Sequence, residues 1–411
     1  MINITRLWCG AEQPADHIRY GLGHGSTAPH ASTAACSPTS SRTRKPIVVW
    51  NITRTCNLRC VHCYADSHAQ KYPGELTLDQ CLGVIDDLAA YNVNALLLSG
   101  GEPLLHPHLP ELLQHATDRG LKVTISTNGT RITPEYAALF KKLGVAYVGI
   151  SLDGIGAVHD SFRGVPGAFD GAIRGFKRCE EVGQKTGLRL TLTRNNVQSM
   201  QEILDFIERE GIQRVCFYHL VPTGRGVDVA SLRPEEARAA LDMLIARAEA
   251  WHAAGQTREL LTVTQPADGI YILLRQLREG SPLAAQTLRL LGWNGGGANS
   301  SGRGIANIDT QGNIHPDQFW QSVTLGNVKT QKFSDVWEAA SEPSAAELLK
   351  LRGSDDPAER QKLLSGPCAT CRHFALCGGG FRTRAAFANG HWFGSDPGCY
   401  LTEEERNTEI S

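Results

Sequence analysis

The chain has 411 residues, 41% of them hydrophobic, and a formal net charge of −1. That length supports a large core spread over two or three domains, and near-neutral charge gives no electrostatic footprint for nucleic acid or a membrane surface. No apolar run approaches the roughly 20 residues that span a bilayer, and Met1-Ile2-Asn3-Ile4-Thr5-Arg6 lacks the basic-then-apolar pattern of a signal peptide, so a soluble, cytoplasmic protein is expected.

Residues 1–45 include a run of Gly, Ser, Thr, Ala, Pro and His over 23–40, which reads as a flexible N-terminal arm. Order is expected from Pro46-Ile47-Val48-Val49-Trp50-Asn51-Ile52, a β-branched apolar run typical of a buried strand. Strand and helix signals then alternate. Strands are predicted at 95–98, 121–126, 145–151, 188–193 and 212–219, and helices at 78–88, 109–119, 133–143, 167–182 and 199–210. Thr77 and Gln80 make a capping box, Thr133 and Pro134 an N-cap with first-turn proline, and a further helix covers 234–251. Six strands with helical crossovers imply α/β architecture with a parallel sheet, flat or curved into a barrel.

Cys56, Cys60 and Cys63 follow the first strand at C-x3-C-x2-C spacing. A thiolate triplet in a chain without secretion signals points to a metal or redox centre rather than a disulfide framework. Zinc normally takes four protein ligands, whereas catalytic iron–sulfur sites can leave one iron open, so three thiolates read as an open site. A zinc knuckle completed elsewhere, for example by His62, is the alternative. Parallel α/β folds collect chemistry at the C-terminal ends of strands, and polar turns lie there: Ser99-Gly100-Gly101-Glu102-Pro103, Ser126-Thr127-Asn128-Gly129 and Ser151-Leu152-Asp153-Gly154. The glycines permit close backbone approach, Glu102 suits an ammonium group, and Ser126 to Asn128 suit ribose oxygens.

Cys368, Cys371, Cys377 and Cys399 form a second group whose spacing suits a closed site, zinc or [4Fe-4S] alike. Cys81, Cys179 and Cys216 lie in apolar patterns and read as small buried hydrophobes.

Residues 46–225 resemble the radical SAM superfamily. The resemblance rests on Cys56, Cys60 and Cys63, on Gly100-Gly101-Glu102-Pro103, and on Ser126, Thr127, Asn128, Ser151 and Asp153. It implies a partial (β/α)6 TIM-type barrel over 46–250 and a [4Fe-4S] cluster whose open iron binds S-adenosylmethionine (AdoMet). Gly100 to Pro103 would meet the methionine amino group, and the serine, threonine, asparagine and aspartate positions would face ribose and carboxylate. His62 stands where the family usually has an aromatic residue.

After a connecting segment at 251–304, residues 305–411 resemble SPASM/Twitch extensions, which carry auxiliary clusters. Residues 307–317 lack the extra cysteines found in many of these, so one auxiliary [4Fe-4S] cluster is implied, on Cys368, Cys371, Cys377 and Cys399. It would pass an electron or help hold the substrate.

Within the superfamily the likeness is to haem d1 biosynthesis proteins of the NirJ type. It is carried by residues 49–55, 72–77, 216–220, 293–302, 315–320 and 396–401. It implies a 5′-deoxyadenosyl radical that removes propionate side chains from 12,18-didecarboxysirohaem. Related enzymes instead take carboxyl groups from iron tetrapyrroles in the alternative haem b route. Implied partners are the iron tetrapyrrole, a cytoplasmic one-electron reductant and other haem d1 biosynthesis enzymes. His219 and His315 are candidate axial ligands, and the loop 294–303, with Arg303, is a candidate carboxylate contact. Rival readings are a peptide-modifying radical SAM maturase and a non-catalytic iron–sulfur or zinc scaffold.

Overall fold

The computed structural model describes residues 1–20, 45–294, 301–339 and 356–410. The run at 23–40 and residues 295–300 of the glycine-rich loop lie outside them. In chain order the strands are β1 Ile2–Asn3, β2 Ile47–Thr53, β3 Ala95–Gly100, β4 Val123–Thr127, β5 Tyr147–Ser151 and β6 Thr186–Leu192. They continue with β7 Arg214–His219, β8 Glu259–Val263, β9 Ile305–Ile308, β10 Asn313–His315 and β11 Gly326–Asn327. The chain divides into two compact units. One joins Lys45–Leu232 to Ser300–Gly353; the other joins Met1–Arg44, Arg233–Asn299 and Ser354–Ser411.

In the first unit β2 to β7 pair in sequence order, all parallel, as the six expected strands of a partial barrel. Helices Leu78–Ala90, Leu109–Asp118, Pro134–Lys142, Ala168–Glu181 and Met200–Arg209 cross between them. Val48 to Thr53 are buried without alternation, as expected of a parallel strand covered on both faces. The expected capping box forms at Thr77 and Gln80, and Thr133 caps the helix that opens with Pro134.

The region 305–411 is not one auxiliary domain. β9 adds to the free edge of β2 in parallel, with Ile47 opposite Ile305 and Val49 opposite Asn307. β10 and β11 follow antiparallel. An apolar strand needs an edge to satisfy its backbone, and β2 offers one. Asn307 reinforces the seam by donating from Nδ2 to the Val49 carbonyl at 2.8 Å. Residues 305–339 therefore belong with the barrel.

Residues 1–20 are likewise not an arm. In the second unit β1 pairs antiparallel with β8, and helix Ile4–Cys9 follows it. Ile2, Ile4 and Leu7 are at most 1% exposed, and Gln276 donates to the Leu7 carbonyl at 2.8 Å. Composition over 23–40 is low in apolar residues, but the short stripe before it has enough of them to dock. Cys81, Cys179 and Cys216 are buried as expected, and all eleven described cysteines are free thiols. No helix of the described residues is long and apolar enough to cross a membrane.

The second unit carries a charge-dependent staple. Arg238 grips Glu405 bidentately at 2.9 and 2.7 Å, Arg278 adds a bond at 3.1 Å, and Glu405 also closes a capping box with Thr402. Hydrogen bonds from Arg238 lead the effects that pull its carboxyl down to about 2. A depressed carboxylate stabilises the fold above its unfolded value near 4.5 and loses that contribution as pH falls towards 2. Glu405→Gln should therefore cost ~2 kcal/mol at pH 7, after allowance for solvent screening of Arg238. Urea denaturation should show the gap from wild type closing below about pH 4.

Candidate functional site

The cysteine loop, 54–68, contains no helix or strand, so its shape is set by bonds to its surroundings. Arg59 N and Val61 N donate to the carbonyls of Arg163 and Phe162, both at 3.0 Å, tying the loop to the end of helix Ala157–Arg163. On its other side Arg225 donates from its backbone to the Cys63 carbonyl at 3.0 Å and from Nε to the Cys60 carbonyl at 2.9 Å. Gly164 is required where it stands, because a Cβ there would lie 2.4 Å from the Arg59 carbonyl oxygen.

Each sulfur accepts a hydrogen bond. Leu58 N reaches Cys56 Sγ at 3.4 Å, Arg163 Nη1 reaches Cys60 Sγ at 3.4 Å, and Ser67 N reaches Cys63 Sγ at 3.5 Å. Asn128 Nδ2 approaches Cys56 Sγ at 3.9 Å and also donates to Asn57 Oδ1 at 3.0 Å. Burial pushes the Cys56 thiol up to about 12 and raises Cys60 as well, with Arg163 pulling Cys60 back. Such thiols stay protonated until a metal or another cation takes the charge.

The Gly-Gly turn closes on the same loop. Gly101 N donates to Thr53 O at 2.7 Å and Glu102 N to Thr55 O at 2.9 Å. A Cβ on Gly101 would sit 2.4 Å from the Thr55 carbonyl oxygen, so backbone approach is the reason for glycine here.

Glu102 is not turned outward. Fully buried, it accepts from Leu104 N at 3.1 Å, Thr127 Oγ1 at 2.7 Å and Asn128 N at 2.8 Å. Burial raises its carboxyl above the usual range, against the pull of those three donors. Its carboxylate fastens the β3 turn to the β4 turn.

Asp153 has a similar place. It is fully buried, ion-paired to Arg163, and accepts from Thr191 N at 2.7 Å. Glu102, Pro103 and Asp153 thus stand behind the cavity wall.

The cavity and the open solvent at its mouth together span ≈ 1080 Å³. Cys56, Cys60, Cys63, Gly100, Gly101, Ser126, Thr127, Asn128, Ser151 and His219 all line it. His315 and Arg303 do not. His315 is buried in the β10 hairpin, with Nδ1 2.7 Å from the Val323 carbonyl and Nε2 3.4 Å from Asp309. With both ring nitrogens occupied, it is no candidate axial ligand. From the neighbouring stretch Gln318 and Phe319 do reach the cavity, and Phe319 packs edge-on against Tyr64 at 5.3 Å. The His62 ring lies 4.6 Å from Phe162, and burial lowers its basicity to about 4.

Among the described residues, three arginines line this cavity, Arg163, Arg189 and Arg225, and no aspartate or glutamate side chain does. Arg163 pairs with Asp153 and Arg225 with Asp66. Sequence reasoning named none of them. The signal available was a charged residue inside the alternating strand Leu188-Arg189-Leu190-Thr191-Leu192.

In the second unit Cys368, Cys371, Cys377 and Cys399 line a cavity of ≈ 600 Å³. Gly378, Gly379 and Gly380 all have positive φ, turning the chain after Cys377. Arg384 and Asp396 form a buried ion pair beneath it, at 2.6 Å. Burial, and then the neighbouring thiols, push Cys377 up, and burial raises Cys399 to about 11.

Among the described residues no three His, Cys, Asp or Glu side chains converge on one ion. In both units the thiols stand around cavity walls. That arrangement suits a cluster, which takes one thiolate per iron over several faces.

A family model for the radical SAM superfamily matches residues 50–207. The chain is 41% identical to Fe-coproporphyrin III synthase of Methanosarcina barkeri over 98% of each protein. It is also 41% identical to Pre-heme d1 synthase of Dinoroseobacter shibae over 89% of each. Among solved structures, native anSMEcpe with bound AdoMet is similar with a TM-score of 0.65 and 19% identity, covering 86% of this chain and 94% of that one. At that identity the likeness bears on the fold alone.

Glu102 offers a direct check on the wall of the cavity. Glu102→Gln replaces one acceptor oxygen by a donor that faces other donors, and should destabilise the protein by ~2 kcal/mol. Equilibrium unfolding in urea at neutral pH measures it. Glu102→Asp, whose shorter arm cannot span Leu104, Thr127 and Asn128 together, should recover only part of the loss.

Proposed function

This chain belongs to the radical SAM superfamily, and on that premise we propose that it removes acidic side chains from an iron tetrapyrrole. The specific reading is loss of propionate groups from 12,18-didecarboxysirohaem on the way to haem d1. The observation that carries it is the cavity itself, where three thiols, a glycine turn, an aromatic wall and three arginines meet with no acidic side chain. A flat, largely apolar macrocycle edged with carboxylates asks for that combination. The two relatives at 41% identity, one named for Fe-coproporphyrin III and one for pre-haem d1, support the substrate class.

Cys56, Cys60 and Cys63 would hold a [4Fe-4S] cluster, with AdoMet on its open iron. When bound, that pair supplies a 5′-deoxyadenosyl radical after one-electron reduction by a cytoplasmic reductant. The chain's part is placement and exclusion of water. Leu58 N, Arg163 and Ser67 N donate to the three sulfurs and spread their charge. Gly100 and Gly101, packed without side chains against the Thr53 to Thr55 backbone, would turn main chain towards the methionine amino group. Thr127 and Asn128, fastened by Glu102, and Ser126 and Ser151 present hydroxyls and an amide to ribose and carboxylate. Asp153 acts through Arg163. Tyr64 and Phe319 wall the macrocycle, and His219 is the remaining candidate for its iron.

Cys368, Cys371, Cys377 and Cys399 would hold one auxiliary [4Fe-4S] cluster, making residues 356–410 the SPASM/Twitch-like part. Free thiols at all eleven described cysteines fit a cytoplasmic enzyme. Removal of carboxyl groups from acetate side chains, as in the alternative haem b route, is the second reading. It is favoured by the match to Fe-coproporphyrin III synthase over 98% of both chains.

The test is anaerobic reconstitution, reduction, and incubation with AdoMet and 12,18-didecarboxysirohaem, followed by mass spectrometry. Loss of whole propionate groups is expected; loss of carbon dioxide from the acetates would move the protein to the second reading, and an unchanged tetrapyrrole beside 5′-deoxyadenosine would sink both. Iron analysis checks the two clusters separately. Replacing Cys56, Cys60 and Cys63 by alanine should lower bound iron from about eight to about four per chain. Replacing the four C-terminal cysteines should do the same.

A further inference from the structure

Arg189 is the cavity's one guanidinium without a carboxylate partner among the described residues. It projects from β6 on the same face as Thr191, which also lines the cavity, while Leu188, Leu190 and Leu192 are buried on the other side. Its neighbour across the sheet is Ser151 and, on the other side, Cys216. The barrel makes room for it. Gly149 lies under its stem, where a Cβ would come within 2.6 Å of Arg189 Cδ.

The environment of Arg189 is phenolic. Its Nη2 donates to the Tyr218 hydroxyl, and its guanidinium lies 4.9 Å from the centre of the Tyr218 ring. Three phenols, Tyr218, Tyr147 and Tyr64, are among the groups with the largest electrostatic influence on it, and burial raises all three above their usual value. An arginine has five N–H donors in a planar fork, and here one hydroxyl takes up one nitrogen of the three. A permanent cation held inside a barrel without a counter-charge is costly. An anion in the cavity removes that cost, and a carboxylate fits the fork with two parallel bonds.

We propose that Arg189, with the Tyr218 hydroxyl beside it, is the receptor for a carboxylate of the substrate's acidic side chains. This rests on the tetrapyrrole reading above and sharpens it. The guanidinium orients the macrocycle by one of its acid groups and leaves AdoMet to the thiol and glycine side of the cavity. Neutral or esterified macrocycles are selected against, because they leave the half-buried cation unanswered.

The proposal is tested by equilibrium binding to anaerobically reconstituted protein. The probes are 12,18-didecarboxysirohaem, its fully methyl-esterified form, and AdoMet, each against wild type, Arg189→Met, Arg189→Lys and Tyr218→Phe. Arg189→Met is expected to weaken the free acid by about 10- to 100-fold, the usual worth of charged hydrogen bonds. It should also abolish the wild-type preference for acid over ester. Arg189→Lys should keep part of that preference and Tyr218→Phe should lose about three- to tenfold, and these two decide the matter if Arg189→Met does not fold.

Equal losses for acid and ester would overturn the proposal, since the residue would then be shaping the cavity. An unchanged affinity for the acid in Arg189→Met would overturn it too. Loss of AdoMet binding in place of tetrapyrrole binding would assign the fork to the carboxylate of AdoMet and overturn it in favour of that source. A wild-type protein that binds no tetrapyrrole would strike down the function itself, and this assignment with it.

Discussion

Three sulfur atoms in a loop without secondary structure are the constraint around which the barrel unit is arranged. Burial raises the Cys56 and Cys60 thiols, so any cation that took their charge would rely on positive ends of dipoles close by. The fold supplies one donor for each sulfur: Leu58 N, Arg163 and Ser67 N. The loop cannot shape itself, because no repeating hydrogen-bond pattern runs through it. Helix Ala157–Arg163 grips it from one side, Arg225 from another and the Gly100-Gly101 turn from a third. Each contact comes from a different strand end of the parallel sheet. The barrel's strand ends therefore also shape the cysteine loop.

The same economy governs the acidic residues. Glu102 and Asp153 lie behind the cavity wall and act on what lines it, Glu102 through Thr127 and Asn128, Asp153 through Arg163. The wall keeps its cations and hides its anions. On the proposed reading, a cavity of that polarity receives acidic ligands, the electrostatic half of substrate choice. The apolar half comes from Tyr64 and from Phe319, which the β9 to β11 addition brings to the barrel.

Much of this was legible in the sequence. Six short strand runs, some continuous and some alternating, with Thr-initiated helices and polar turns at strand ends, were enough for a parallel barrel, since local propensity and hydrophobic pattern agree over most of them. The spacing of Cys56, Cys60 and Cys63 was visible in the sequence, and the structure brings all three to one cavity. What could not be read were long-range partners. Nothing in Ile305–Ile308 says that its edge partner is β2, some 250 residues earlier. The N-terminal stripe Ile2, Ile4 and Leu7 is too short to outweigh the low-complexity run after it. Glu102 and His315 looked outward because sequence cannot tell which polar groups are already satisfied. Arg189 was hidden in a strand whose other inward residues are unremarkable, and only the inward face of a curved sheet gives its charge meaning.

The central claim is that a radical generated beside Cys56, Cys60 and Cys63 acts on an acidic side chain of an iron tetrapyrrole. The most direct measurement is hydrogen transfer itself. The reduced, reconstituted protein would be given AdoMet and an iron tetrapyrrole deuterated on its propionate and acetate methylenes, and the 5′-deoxyadenosine formed would be analysed by mass spectrometry. Deuterium in the 5′ position is the predicted result. Unlabelled 5′-deoxyadenosine, formed at the same rate with or without the tetrapyrrole, would contradict the account.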